Sequence, residues 1–236
     1  MKKRIVTTAT LSLNVLFGAA MASFAQEKSP ASGDSTTAIA QPAEIKPAET
    51  KTMAAQPSAA DMQKMMDQMM ELGRPSENHK LLAGMAGNWN YTVKMWMDPT
   101  GKPQESKGTA TRKAIMEGRF FIAEHSGKFQ MPGADGKMKD MNFKGMAIEG
   151  YDNIKKKFVV AWIDNMGTVI LNSEGTYDAT SKTFTYAAHC EMMPGMPVTI
   201  REVIKVVDND HHNFEWYEDR GAGETKTMEI AYTRKK

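Results

Sequence analysis

Two stretches of this chain carry soft ligands at spacings that could do chemistry. Met62, Met65, Met66, Met69 and Met70 fall at i, i+3, i+4, i+7 and i+8. His189-Cys190-Glu191-Met192-Met193-Pro194-Gly195-Met196 gathers methionines around a histidine and the chain's one cysteine. Methionine sulfur suits Cu(I), so a soft-metal site is one reading of both. Packing is the other. The first set is the stripe of an amphipathic helix, whose flexible thioethers can fill an irregular apolar surface without any metal.

The titratable residues form no catalytic constellation. None of the five histidines, His79, His125, His189, His211 and His212, pairs with other ligands at a zinc-like spacing, and no metal ligands are assigned. His211 and His212 follow Asp208-Asn209-Asp210 and read as a solvated turn. No Gly-x-Ser-x-Gly elbow is present, and His189 and Cys190 as strand neighbours point to opposite faces. Cys190 reads as a small buried hydrophobe. Glu202 is the unusual charge: it shares strand parity with Val198, Ile200, Ile204 and Val206. An inward carboxylate needs a cation or hydroxyl partner or holds its proton, and Arg112 and Arg119 are the candidate partners.

These residues are positioned by short strands. Trp89, Tyr91, Val93, Met95 and Met97 alternate with Asn90, Thr92, Lys94 and Trp96 after Gly87-Asn88, a period of two. Turn signals then recur to the end of the chain, which gives strands near 88–97, 105–116, 119–129, 143–151, 157–164, 168–176, 183–193, 198–207, 213–219 and 225–234. Ten strands with mainly short turns predict an all-β fold, a closed up-and-down antiparallel barrel that has no exposed sheet edge. Trp89 near its start and Arg234 near its end are the residues assigned to closure, a ring plugging one end and a cation covering it. Such a barrel can hold one small ligand. The lining residues assigned to it are Tyr91, Met95, His125, Trp162, Tyr186, Glu202 and Trp216. The competing reading is an interior filled by side chains.

The N-terminus supplies the context. Met1-Lys2-Lys3-Arg4, the apolar run to Met21 and Ser23-Phe24-Ala25 read as a secretory signal over 1–25, so the mature chain is expected to be periplasmic or secreted, without a transmembrane segment. Removing Lys2, Lys3 and Arg4 takes the formal charge from +2 to −1, and no basic cluster remains to bind nucleic acid. A single cysteine closes no internal disulfide. Residues 26–60, rich in Pro, Ala, Thr, Ser, Glu and Lys, read as a disordered linker. Asp61 as a cap, with Gly73 and Pro75 as a stop, predicts a Met-rich helix over 61–75. The barrel domain takes 76–236.

The ordered set His79-x-x-Leu82, Gly87-Asn88-Trp89, Gly118-Arg119-Phe120, Gly150-Tyr151-Asp152, Glu229 and Tyr232-Thr233-Arg234 resembles the bacterial family called domain of unknown function 1579. The resemblance runs from about Met62 to Lys236. It implies a calycin-like barrel, similar in architecture to lipocalins, fatty-acid-binding proteins and the haem-binding nitrobindins, and it brings no established activity. Nitrobindin likeness alone would make His125 a haem ligand, and no motif adds to that; no cofactor is assigned. The expectation is therefore an exported barrel binding a small apolar or amphipathic molecule. Copper binding through Met and His, or an enzyme of unknown reaction, are the alternatives.

Overall fold

The computed structural model describes residues 57–133 and 136–236. The expected leader and most of the linker lie outside the described residues. Helix α1 spans Ala59–Leu72. Ser58, rather than Asp61, begins it: the Asp61 N–H donates to Ser58 Oγ at 3.2 Å and the Ser58 N–H returns to Asp61 Oδ2 at 3.2 Å. This reciprocal capping box satisfies donors that a bare helix end would leave free. No residue of α1 is buried. Its five methionines are 54–68% exposed, so the expected burial of the stripe is not seen. No helix among the described residues is long and apolar enough to cross a membrane.

Helix α2, Glu77–Gly84, precedes ten strands. These are β1 Gly87–Met95, β2 Gln104–Ile115, β3 Phe120–Pro132, β4 Met138–Asp152, β5 Lys157–Asp164, β6 Leu171–Asp178, β7 Thr183–Met193, β8 Met196–Val206, β9 His211–Asp219 and β10 Glu224–Arg234. Each pairs antiparallel with its sequence neighbours, and β1 also pairs with β10, so the sheet closes as an up-and-down barrel. The fold is the all-β barrel that the alternation predicts. Boundaries differ where local signals were weak. β3 and β4 extend to Pro132 and from Met138, taking in residues expected as a loop. β6 starts at Leu171, leaving Val169 and Ile170 exposed before it.

Parity then fixes the interior. Tyr91 lies opposite Gly108 and Tyr232, His125 opposite Ala110 and Gly145, and Tyr186 opposite Gly175 and Glu202. One end is packed with Leu82 and Met85 around Phe121, Phe158, Phe184 and Tyr186, each at most 3% exposed. Leu82 and Met85 come from α2 and the residue that follows it. The helix is thus an apolar plug, held by His79: the Ser76 N–H donates to His79 Nδ1 at 2.9 Å, and the ring meets Tyr151 edge-on.

Candidate functional site

The sealed end depends on Arg234. Its guanidinium lies 4.2 Å over the Trp89 ring and donates to the carbonyl oxygens of Ala86 at 2.5 Å, Gly84 at 3.0 Å and Asn209 at 2.8 Å. Trp89 Nε1 donates to Met85 O at 3.1 Å. One cation therefore satisfies carbonyls left open at the C-terminus of α2 while covering an aromatic face. Gly87, at φ +133°, lies against the same guanidinium, and any Cβ there would collide with it. The backbone angle and the close approach both call for glycine.

Above this seal the lumen holds a buried polar group of residues. Arg112 Nη2 pairs with Glu149 Oε1 across the small inward residues Ala123 and Ala147. The two side chains are 11% and 8% exposed. Arg112 Nη1 and Glu149 Oε2 are buried without a hydrogen-bond partner, as are His125 Nδ1 and His212 Nδ1. Buried polar atoms are normally paired, so four around one lumen mark a place where polar partners are wanted. The Ser173 hydroxyl donates to Glu202 Oε1 at 2.6 Å, and Tyr232 Oη lies 3.2 Å from His125 Nε2.

Burial sets the charge of this set. Desolvation, with the nearby Arg112 charge, pushes His125 down to about 4 and His212 down to about 3, so both rings are neutral at physiological pH. Desolvation raises Glu202, and Glu149 adds to this. The phenols of Tyr186 and Tyr232 are likewise raised by burial, and Tyr91 is pushed up to about 12.

The rest of the inward face is apolar, and toward the end away from α2 its residues are only partly buried. Val93, Met95, Phe143, Trp162, Trp216 and Met228 face inward by register yet are only half-buried. Phe214 and Ile230, nearer the middle, are half-buried as well. Two rings lie flat along the wall because glycine makes room for them: a Cβ on Gly108 or Gly127 would strike Tyr91, and one on Gly145 would strike Trp162. Trp162 Nε1 is fixed by Asp164 at 2.8 Å, and Trp216 Nε1 by Glu218 at 3.1 Å.

The assigned lining residues all lie on inward faces of the barrel: Tyr91 and Met95 on β1, His125 on β3, Trp162 on β5, Tyr186 on β7, Glu202 on β8 and Trp216 on β9. Several expectations need correction. Glu202 is partnered by Ser173, not arginine: Arg112 serves Glu149, while Arg119 donates to Gly73 O and pairs with Glu117. His211 and His212 are in β9 rather than a turn, and His212 is 6% exposed, stacked on Tyr232 and edge-on to Trp89. Ladder pairing to Val206 and Tyr232 outweighs the polar turn signal before it. Cys190 is half-buried against the cluster of Leu171, Ala188, Val198 and Ile200, its thiol pushed up by desolvation. His189 is exposed on the outer face beside Thr199.

The family described as "Protein of unknown function (DUF1579)" matches residues 74–234. The chain belongs to this family. No curated protein matches it. Among solved structures it is similar to the S-type phycobiliprotein lyase CPES from Guillardia theta, at 10% identity and a TM-score of 0.47, over 71% of this chain and 97% of that one. It is also similar to Rv2717c from M. tuberculosis, at 12% identity and a TM-score of 0.47, over 69% of this chain and 100% of that one.

Proposed function

We propose that this DUF1579 protein is an exported barrel that binds a small amphipathic molecule in its lumen, with the apolar part toward the end away from α2. One observation carries the reading: inward-facing Val93, Phe143, Trp162, Phe214, Trp216 and Ile230 keep partial solvent exposure inside a closed sheet. In a filled barrel such residues would be sealed, as Phe121 and Phe184 are at the plugged end, both 1% exposed. Apolar lumen surface left in contact with water is stabilised by an apolar ligand at roughly 25 cal/mol per Å² covered. The unpartnered polar atoms beneath supply the orienting contacts of a ligand pocket. The export part rests on the leader-like first 25 residues.

Native mass spectrometry of protein purified from its own compartment, followed by solvent extraction, tests the reading. A co-purifying small molecule in stoichiometric amount is the expected result. A single unliganded mass that lipid extracts and alkyl-chain probes leave unchanged would refute it.

Soft-metal binding on α1 is the second reading, favoured by the exposure of all five methionines of its stripe. Titration with Cu(I) under reducing conditions tests it: binding tighter than about micromolar, lost on replacing Met62, Met66 and Met69 by Leu, is the expected outcome.

A further inference from the structure

We infer that the lumen selects a ligand whose polar end is uncharged and both donates and accepts a hydrogen bond, such as an alcohol or a primary amide, and discriminates against a carboxylate. This rests on the lumen-binding reading and specifies its polar end. Arg112 is an inward-facing cation with its side chain 11% exposed, and its charge is already matched by Glu149 through the Nη2–Oε1 contact. That single contact leaves Nη1, a donor, and Oε2, an acceptor, as the two free atoms of the pair, both buried. A hydroxyl or carboxamide fits both: its oxygen accepts from Nη1 and its O–H or N–H donates to Oε2. A carboxylate can answer only the arginine. It would also bring a second negative charge beside Glu149 in a site with little water to screen it.

The surrounding groups reinforce this choice. The Ser173 hydroxyl donates to Glu202 Oε1, and neither residue can carry a positive charge to hold an anion. The His125 and His212 rings are neutral, and each leaves Nδ1 without a partner. Either nitrogen can serve a neutral polar head, and neither adds positive charge to hold an anion. An arginine that is to bind a carboxylate bidentately needs its fork free, and here Glu149 occupies one arm.

Binding of dodecanol, dodecanamide and dodecanoate to the full mature chain near neutral pH tests the inference, read by tryptophan emission and by calorimetry. Trp162 and Trp216 face the lumen and report occupancy. The expected result is that the alcohol and the amide bind at least about tenfold more tightly than the carboxylate. In Glu149→Gln the negative charge beside Arg112 is removed, so the preference narrows: dodecanoate is expected to gain at least about tenfold relative to dodecanol. Dodecanoate binding as tightly as dodecanol to the unmodified chain overturns the inference and leaves the lumen reading standing. Failure of all three probes to bind removes both. Should Glu149→Gln not fold, the comparison in the unmodified chain decides the matter without it.

Discussion

Replacing His212 by Phe should flatten the dependence of stability on pH. In the folded barrel burial holds this imidazole down to about 3, while an unfolded histidine titrates near 6.5. Between these values the unfolded chain binds one more proton at this site than the native chain does, so stability falls as pH falls. The slope for one such group is about 1.4 kcal/mol per pH unit, or roughly 2.5 kcal/mol between about pH 6 and pH 4. His125, pushed down to about 4, acts in the same direction over a narrower window. Glu202, whose carboxyl is raised by burial, acts in the opposite one. Phe keeps the ring that stacks on Tyr232 at 4.4 Å and meets Trp89 at 4.4 Å, and it cannot titrate. Urea unfolding at about pH 7, 6, 5 and 4 on both proteins isolates the term, because the contributions of His125 and Glu202 are common to them. The wild-type curve should be steeper by about 1.4 kcal/mol per pH unit below pH 6; parallel curves would show that the ring is not held neutral and would refute the burial argument.

Arg234→Ala removes the cover on Trp89 and the donors to Gly84, Ala86 and Asn209, and should cost about 3 kcal/mol in denaturant unfolding, given roughly 1.5–3 kcal/mol for hydrogen bonds to a charged group; a loss within experimental error would remove its closure role. Gly145→Val drives a side chain into the Trp162 ring and should cost about 1–3 kcal/mol while shifting tryptophan emission, whereas an unshifted spectrum would show that this wall is not where the ring lies. Glu202→Gln keeps an acceptor for Ser173 and removes a carboxyl whose folded pKa is raised. The penalty it relieves is absent below the unfolded carboxyl pKa and complete above the folded one, so the variant should gain on the wild type as pH rises above the ordinary carboxylate range. A gap that stays constant with pH would contradict this.

Strand number, meander order and the inward faces around Tyr91, Trp162, Tyr186 and Trp216 were legible in the sequence, because polar and apolar residues alternate cleanly there. The centre of the site was not. In Gly145-Met146-Ala147-Ile148-Glu149 the inward residues are Gly, Ala and Glu, while apolar Met146 and Ile148 face out, Ile148 at 44% exposure. Hydrophobicity therefore points the wrong way on β4, and Glu149 was missed; small inward residues there make room for the Arg112 side chain. Ser173 was missed because its role is set by Glu202, 29 residues on, through tertiary contact alone. His212 was misread because Asp208-Asn209-Asp210 marks a turn whose end cannot be located to the residue from composition. The α1 methionines follow helical spacing as expected, yet spacing reveals a stripe and not whether anything covers it.

Methyl NMR on methionine-labelled protein tests the central claim most directly. Met95 and Met228 are paired on the inward face at the end of the barrel away from α2, whereas Met62, Met65, Met66, Met69 and Met70 are exposed on α1. With dodecanol added, intermolecular nuclear Overhauser contacts from the alkyl chain should reach the Met95 and Met228 methyls and leave the α1 set unchanged. Contacts confined to the α1 methionines, or none to either lumen methyl at saturating probe, would contradict a ligand-binding lumen.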